Sequence, residues 1–233
     1  MVRTVKDPDE RRSELIASAQ HLFYSKGYEK TSVSDIVNEV GVAKGTFYYY
    51  FNSKQAILEA MIDELVDHSI TIIQPIINDP TLNATEKFVR TFGVIGTWKF
   101  NIRGDLLALL RILYSDENAL LRFKTNQRTV ELLSPELAPI IQQGIEEGVF
   151  NTQFGEDAMK IAFGSTLIFA EELYDILLNP QNYDKPAVLS RHRMAAVQDA
   201  IERILGAESG SLPLADPTLF DQWFSHDKDS HGS

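Results

Sequence analysis

The chain has 233 residues, with 22 Lys and Arg against 33 Asp and Glu, and a formal net charge of −11. The absence of cysteine excludes disulfides, thiol catalysis and cysteine-ligated zinc, and the length predicts one large domain or two small ones. The polar start, Met1 to Arg12, is not followed by the apolar stretch of a signal peptide, and no apolar run reaches the roughly 18 residues of a membrane span. We therefore expect a cytoplasmic protein.

The negative charge is confined to one part of the chain. Residues 1–55 hold 8 Lys and Arg and 7 Asp and Glu, a net charge of +1, so the remaining residues carry −12. A charge of −11 argues against binding to nucleic acid when it is averaged over the chain, because affinity for phosphates comes from Lys and Arg. The asymmetry instead predicts two modules, of which only the first is suited to a phosphate backbone.

Apolar residues recur with helical period along nearly the whole chain, and no segment alternates in the manner of a strand. The sequence therefore predicts an all-α fold. A first helix begins near Asp9 and stops at Gly27. Its apolar face consists of Leu15, Ile16, Ala19, Leu22 and Phe23.

Two short helices with a tight turn between them follow the first helix. Ser32 and Asp35 form a capping pair at the start of the second helix, and Gly41 ends it. Lys44 begins a third helix after a two-residue connection. Two short helices joined by such a turn form the helix-turn-helix pattern. We expect Ser53 to cap a long fourth helix.

Beyond Ser53 the pattern predicts five or six more helices of about 10 to 25 residues, separated by breakers. Pro135 and Pro186 are each expected at the first position of a helix, where the missing N–H costs nothing. The breakers are Pro75 to Pro80, Arg103-Gly104, Ser134-Pro135, Gly148, Asn179-Pro180 and Lys185-Pro186.

These patterns divide the chain into three parts. Residues 1–53 form a helix-turn-helix domain, residues 54–206 form a larger helical domain, and residues 207–233 form an acidic tail with net charge −4. The composition of the tail is typical of a flexible segment. Within it Phe220, Trp223 and Phe224 are spaced i, i+3, i+4, which fits one helical turn with an apolar face for docking.

The third helix is rich in aromatic residues for its length. Phe47 and Phe51 lie four residues apart and are expected to face the small N-terminal core. This leaves the hydroxyls of Tyr48, Tyr49 and Tyr50 free to bond phosphates or base edges.

The first turn of the third helix also has the properties of a phosphate site. Lys44 and Gly45 lie where free backbone N–H groups and the positive end of the helix dipole favour an anion. A glycine inside a helix destabilises it by about 1 kcal/mol relative to alanine. A glycine at this position therefore indicates that another molecule, such as a DNA strand, approaches the backbone closely. Lys54 has the corresponding place in the fourth helix. The sequence therefore predicts a DNA-binding surface around the third helix.

Residues 12–60 resemble the DNA-binding domain of the TetR family of transcriptional regulators. Beyond these residues the chain is similar to the family in length, in helical character and in a Gly148-Val149-Phe150 turn. The resemblance implies a helix-turn-helix domain joined by a long helix to a helical ligand-binding and dimerisation domain. The positions that carry it are Ile16 through Phe23, Gly27, Thr31, Ile36, Gly41-Val42, Lys44-Gly45-Thr46-Phe47-Tyr48, Phe51 and Ser53-Lys54.

The resemblance also implies roles for individual residues at double-stranded DNA. Three lie at the start of the second helix, near phosphates or an edge base, and are Thr31, Ser32 and Ser34. Five reach the major groove and its walls from the third helix and are Lys44, Gly45, Thr46, Tyr48 and Tyr49. Two hold the backbone and are Tyr50 and Lys54.

Three positions depart from the family pattern. Ala43 stands where a serine often caps the third helix, a loss of about 1 kcal/mol. Tyr50 stands where histidine is frequent, and Asn52 replaces a common lysine. The missing lysine removes a phosphate contact, which predicts somewhat weaker binding and a shallower dependence of DNA affinity on salt.

An aromatic-rich stretch between Phe88 and Phe123 has two interpretations. One is an ordinary helical core. The other comes from the resemblance, since the TetR family builds an apolar ligand cavity in this part of the chain, and cavities lined by aromatic and a few polar groups bind small molecules. The residues of that implied pocket are Phe92, Trp98, Arg103, Arg111 and Tyr114.

Two long helices flank Asn179-Pro180, and each carries a stripe of small or apolar residues at helical spacing. Internal packing explains such stripes as well as a dimer interface does, and the resemblance favours a four-helix bundle of two helices from each subunit. The candidate interface residues are Ala158, Ile161, Ala162, Ser165, Ile168, Phe169, Met194, Val197, Ile201 and Ile204.

No catalytic constellation or cofactor motif is visible, so we do not expect an enzyme. Glu64 and His68 lie four residues apart, but two ligands alone do not predict a metal site. We expect a homodimeric repressor that a small apolar or amphipathic effector releases from a palindromic operator. The alternative is a small-molecule-binding or catalytic helical protein whose N-terminal helices serve only in assembly.

Overall fold

The computed structural model describes residues 7–216, 218 and 222–224, apart from the side chain of Ile168. Within these residues there are nine α-helices and no strand, so the expectation of an all-α fold is confirmed. None of the described helices is long and apolar enough to cross a membrane. The helices are α1 (Pro8–Ser25), α2 (Val33–Val40), α3 (Lys44–Tyr50), α4 (Lys54–Ile77), α5 (Ala84–Asn101), α6 (Arg103–Leu113), α7 (Ala119–Glu146), α8 (Gly155–Leu178) and α9 (Pro186–Leu205).

The first helices begin and end where their local chemistry predicts. The carboxylate of Asp7 caps α1 by accepting a hydrogen bond from the N–H of Asp9. At α2 the side chains of Ser32 and Asp35 each accept the other residue's backbone N–H, which is the predicted capping pair. Gly41 ends α2 with a φ of 74°, a left-handed conformation that glycine adopts without steric cost.

Prolines interrupt the helices less than the sequence predicts. α7 continues through Pro135 and Pro139, and α4 continues past Pro75. The prediction that Pro135 begins a helix is therefore wrong, whereas Pro186 is the first residue of α9 as predicted. An interior proline costs about 3 kcal/mol, but burying each large aliphatic side chain returns about 1.5–3 kcal/mol, so a long buried face outweighs it. The buried aliphatic residues around the two prolines of α7 are Leu133, Leu137, Ile140 and Ile141.

Two glycines fix how the last helices of the body meet the turn between α7 and α8. A Cβ on Gly144 would lie 2.1 Å from the ring of Phe150, so no larger residue fits there without displacing the ring. Gly206 follows α9 with a φ of 62°, and a Cβ there would lie 2.6 Å from the carbonyl oxygen of Asn151. The N–H of Asn151 donates to the carbonyl of Leu205 at 2.9 Å, which joins the turn to the end of α9.

The tail predicted to be flexible is packed at several points where it is described. Leu212 and Leu214 are buried, and the ring of Trp223 contacts that of Phe100. The predicted docking turn is thus seen at Trp223, whereas Phe220 lies outside the described residues.

The chain divides into two compact units, one ending at Asp67 and the other beginning at His68. This division lies inside α4, whereas the domain boundary predicted from the sequence, after residue 53, lies at the start of that helix. The functional boundary stays a prediction. The first unit contains α1 to α3 and most of α4, and the second contains the rest of α4 and α5 to α9.

Candidate nucleic-acid interface

A small aromatic core holds α3 in place. Phe47 is fully buried and Phe51 nearly so, and their ring centroids lie 5.7 Å apart. They are buried with Leu15 and Ile36, which come from α1 and α2. Each aromatic side chain removed from water in this way contributes on the order of 2–3 kcal/mol. The core therefore fixes one face of α3 and leaves the opposite face exposed.

Two tyrosines occupy the exposed face of α3. Tyr48 is 55% exposed and Tyr49 is 77% exposed, which is unusual for large rings. Tyr50 is half-buried, and its ring meets the edge of Tyr49 at a centroid distance of 4.8 Å. Two large amphipathic side chains therefore stand in solvent on a rigid support.

The first turn of α3 has no side-chain cap. Ala43 precedes the helix in an extended conformation and its side chain accepts no hydrogen bond, as its replacement of serine predicts. Lys44 and Gly45 are exposed in that turn. A Cβ placed on Gly45 would meet nothing within 4 Å, so packing within the chain does not require glycine there. The space beside Gly45 is open for the approach of another molecule.

The start of α2 differs from the expectation in one respect. Thr31 is only 2% exposed, and its hydroxyl donates to the carbonyls of Gly27 at 2.8 Å and Leu22 at 3.3 Å. Its N–H donates to the carbonyl of Tyr28. Thr31 is therefore turned into the protein, where its hydroxyl stabilises the turn before α2, and its role at DNA stays a prediction.

Ser32 is exposed, but its hydroxyl is already engaged. It donates to the Asp35 carboxylate at 2.8 Å, and Lys26 Nζ binds the same carboxylate oxygen at 2.8 Å. Hydrogen bonds from Lys26 and from the backbone and hydroxyl of Ser32 hold the pKa of Asp35 well below its usual range. Ser34 is half-buried on the first turn of the same helix. A carboxylate of the chain thus occupies the end of α2 that attracts anions.

Lys54 is also held by the protein itself. Its Nζ donates to the carbonyl oxygen of Tyr28 at 2.7 Å and lies 4.0 Å from the centroid of the Tyr28 ring. Burial raises the pKa of the Tyr28 phenol, with smaller contributions from Glu29 and Glu59. Lys54 therefore joins the start of α4 to the turn after α1, and its role at the DNA backbone stays a prediction.

Arg12 is a residue of this unit that the sequence pattern did not single out. Its guanidinium lies 5.5 Å from the centroid of the Phe51 ring and 3.7 Å from the carboxylate of Glu64. It connects α1 to the core and to α4. No spacing rule in the sequence marks this contact, because its three members lie far apart along the chain.

The implied ligand-binding residues lie in several surroundings of the second unit. Phe92 stacks on Phe88 with centroids 4.7 Å apart, and Trp98 stacks on His68, also at 4.7 Å. Phe92 and Trp98 therefore each pack against another aromatic ring of the same unit.

The remaining candidates lie on or beside α6. The guanidinium of Arg103 lies 4.7 Å from the centroid of Phe100, whereas Arg111 is exposed. Tyr114 is half-buried against Tyr174 at 5.4 Å, and burial raises its pKa above the usual range. Arg103 and Tyr114 therefore lie beside aromatic rings, whereas the side chain of Arg111 lies in solvent.

The dimer candidates separate into covered and exposed positions. Ala158, Ala162, Val197 and Ile201 are buried within the chain itself, where α8 packs on α9, and their place at an interface stays a prediction. Ile161 and Phe169 are 60% and 37% exposed. The hydroxyl of Ser165 donates to the carbonyl of Ile161, Met194 and Ile204 are half-buried, and the side chain of Ile168 lies outside the described part.

Within the described residues, no three His, Cys, Asp or Glu side chains group together in a way that would hold a metal ion. The carboxylate of Glu64 forms an ion pair with Arg12, and the ring of His68 packs on Trp98. Both side chains thus have contacts of their own.

Comparison with known proteins identifies the first unit. Residues 15–61 match the family model described as bacterial regulatory proteins, tetR family. Over 63 residues the chain is 35% identical to the HTH-type transcriptional regulator TtgR of Pseudomonas putida. This alignment covers 27% of this chain and 30% of TtgR. The match thus spans less than a third of this relative.

Solved structures extend the likeness to the helical body. A putative TetR-family transcriptional regulator from Mesorhizobium loti is 19% identical, with a TM-score of 0.59 over 85% of this chain and 98% of its own. The fatty acid degradation regulator FadR from Bacillus halodurans is 23% identical, with a TM-score of 0.58 over 82% and 96%. At these identities the likeness establishes a shared fold. The first unit is thus similar in sequence to the TetR family of transcriptional regulators, and the helical body is similar in fold to solved structures of such regulators.

Proposed function

We propose that the protein is a homodimeric repressor that binds a palindromic operator through α3 and leaves it when a small molecule binds the helical body. The observation that carries the DNA-binding part is the exposed face of α3. Lys44, Gly45, Tyr48 and Tyr49 stand in solvent on a helix whose other face is fixed by buried Phe47. A short helix presented in this way is what the second helix of a helix-turn-helix domain places in the major groove.

The charge distribution supports the same orientation towards DNA. Residues 1–55 have a net charge of +1, and the remainder carries −12. Phosphates attract the first part and repel the second, so the body is kept away from the duplex. A role at an operator also supports the cytoplasm as the location of the protein.

Ser32 and Ser34 remain candidates for the edge of the DNA contact, as does Tyr50 on α3. Ser32 is exposed, and Ser34 and Tyr50 are half-buried. Thr46 lies in the first turn of α3 and is half-buried. Each of these side chains reaches the surface of the unit, and we rank them after Lys44, Tyr48 and Tyr49.

Dimerisation is supported by the exposed apolar residues of α8. Ile161 and Phe169 lie eight residues apart on this helix, which places them on one face, and Ser165 lies midway between them. Exposed large apolar side chains grouped on one face mark interaction surfaces. A second copy of the chain that presents the same face covers both sets, as two-fold symmetry requires.

The proposed effector acts through unequal affinity for two states of the dimer. A molecule that binds the body only when the two α3 helices are wrongly spaced for DNA shifts the population away from the bound state. Arg103 and Tyr114 are predicted ligand residues that lie beside aromatic rings. They support a site for a small apolar or amphipathic molecule in the body.

Gel-shift titration of the variants Lys44→Ala and Tyr48→Ala against a bound duplex tests the assignment. Because both side chains are exposed, we expect unchanged folding and an affinity loss of about 1–3 kcal/mol for Tyr48→Ala. Lys44→Ala is expected to lower the salt slope by about one, because it removes one cation that neutralises a phosphate. Lys124→Ala, an exposed lysine of α7, is the matched control. Wild-type binding by both test variants would contradict the assignment.

A further inference from the structure

The second unit contains an aromatic site that a residue from the far end of the chain fills. The ring centroid of Trp223 lies 5.7 Å from that of Phe100, at an interplanar angle of 77°. Such an edge-to-face arrangement is favourable for aromatic pairs. Trp223 also packs against a buried aliphatic cluster. Tyr114 and Tyr174 pack against the same cluster. We call these surroundings the Trp223 site, which consists of the ring partner Phe100, the cluster Leu106, Leu110 and Leu178, and the two tyrosines.

Cationic groups lie at the edges of the Trp223 site. The guanidinium of Arg103 is 4.7 Å from the centroid of Phe100, and that of Arg122 is 4.8 Å from the centroid of Tyr114. Arg122 is fixed in turn by Glu171 and by the carbonyl of Leu113. Aromatic and aliphatic walls with a few placed polar groups are the usual lining of sites for small, flat molecules. The site therefore has the chemistry of a ligand site as well as of a core.

The segment that leads towards Trp223 is tied to the body at the end of α9. Glu202 is 3% exposed, and its carboxylate accepts hydrogen bonds from the N–H groups of Gly210 and Leu212, each at 2.9 Å. The side chain of Gln198 donates to the same carboxylate at 2.9 Å. Leu214 is buried just beyond this clamp. A short tether of this kind raises the effective concentration of Trp223 at its site.

We propose that Trp223 is a tethered occupant of a binding site for aromatic ligands, and that a free molecule with an indole-sized ring displaces it. Aromatic molecules are thus the ligand class of the helical body. Release of DNA on ligand binding rests on the proposed function, whereas displacement of Trp223 does not. Arg103 and Tyr114 then belong to one site. Displacement needs no covalent step, since the free ring takes over the contacts that the Trp223 ring leaves.

The direct test is fluorine NMR of the full chain labelled with 5-fluorotryptophan, with indole as the probe. The chain has two tryptophans, so two resonances are expected, and Trp223→Phe assigns them. We expect indole to move the Trp223 resonance to its solvent-exposed position, while Trp98, stacked on His68, reports on the rest of the body. Saturable indole binding that leaves the Trp223 resonance in place would overturn the proposal.

Calorimetric titration with indole measures the competition. Trp223→Ala is expected to bind indole about tenfold more tightly than the wild type, the factor for an occupant present nine-tenths of the time. Phe154→Ala is the matched control, because it removes an aromatic residue that is exposed and lies outside the docking turn, and it is expected to bind as the wild type does. Equal affinity of the three proteins, or no binding to folded Trp223→Ala, would also overturn the proposal.

A second variant keeps the test decisive if Trp223→Ala does not fold. Glu202→Gln loosens the clamp and leaves Trp223 in the chain, so the longer tether lowers its effective concentration about two- to threefold. We expect indole affinity to rise by the same factor, and an unchanged affinity in folded Glu202→Gln contradicts the proposal. Binding of DNA is measured on the same samples, so a failure of indole binding with DNA binding intact counts against this inference alone.

Discussion

Individual side chains of the first unit either hold the helices together or stand free in solvent. The hydroxyl of Thr31 and the ammonium group of Lys54 donate hydrogen bonds to carbonyl oxygens of the chain, so both side chains stabilise the unit. Lys44 and Tyr49 carry similar chemistry but are exposed on α3. Function at this scale depends on which polar groups remain available once the fold has satisfied its own hydrogen bonds.

The Asp35 carboxylate gives this distinction a measurable consequence in pH. Its pKa is lowered in the folded protein by Lys26 and Ser32, so its contribution to stability is present above the unfolded value, about 3.9, and is lost as pH falls through the folded value. We expect Asp35→Asn to lower the melting temperature at pH 7 and to have a diminishing effect in strong acid.

Circular dichroism melts between pH 2 and pH 7 check this prediction. Asp157→Asn, a change of the same kind in the first turn of α8, is the control. A difference in melting temperature between Asp35→Asn and the wild type that stays constant across the range would show that the carboxylate charge does not matter.

The sequence could predict the chemistry of the α3 surface but only part of its geometry. Tyr48 and Tyr49 are recognisable because buried Phe47 and Phe51 fix which face of the helix is left over. The burial of Thr31 was not predictable, because its hydroxyl partners lie four and nine residues away along a turn whose path the pattern does not define. A sequence motif specifies which residue types are present, but only the structure shows which of their side chains are exposed for binding.

At the scale of helices, α3 depends more on packing than on its own sequence. It has seven residues, and Ala43 supplies no side-chain acceptor to its first turn. Isolated helices of this length do not persist in water, so α3 depends on its buried aromatic face. Its start is therefore a place where one added hydrogen bond has a visible effect.

Ala43→Ser is expected to stabilise the protein by about 1 kcal/mol, because Ala43 already has the extended conformation of a cap residue. The serine oxygen can then accept the N–H of Gly45 or Thr46. Urea unfolding followed by circular dichroism measures the change. Ala43→Val adds no acceptor and is the control, because valine is as poor a cap as alanine and fits the extended conformation, and equal midpoints for the serine and valine variants would refute this explanation.

The helices differ in how far the sequence predicts them. α2 is predictable because Ser32 and Gly41 mark both of its ends. α7 is not, because Pro135 resembles a helix start until the burial of its neighbours is known. The stripes on α8 and α9 are ambiguous for another reason. Helical spacing shows that Ala162 and Val197 are covered, but it does not show whether a helix of the same chain or of a partner covers them.

The whole molecule is expected to be a dimer built on the residues of α8 that its own chain leaves exposed. Changing both Ile161 and Phe169 to Asp places charges on that face, and burying an unpaired charge costs several kcal/mol. We therefore expect the double variant to sediment as a monomer and to lose tight operator binding. Analytical ultracentrifugation is the measurement.

Leu120→Asp is the matched control for that experiment. Leu120 is a large apolar residue with comparable exposure, but it lies on α7, outside the proposed interface. The expected result is a dimer for the control and a monomer for the double variant. A double variant that remains dimeric would remove α8 from the interface.

Two copies of α3 are proposed to read a two-fold symmetric DNA site, and the most direct test is selection of bound sequences from random duplex DNA at two salt concentrations. We expect an enriched inverted repeat whose half-sites lie about one helical turn apart, on the order of 35 Å, with weaker retention at the higher salt. No enriched sequence at either concentration, from protein shown by mass spectrometry to carry no bound small molecule, would contradict the claim.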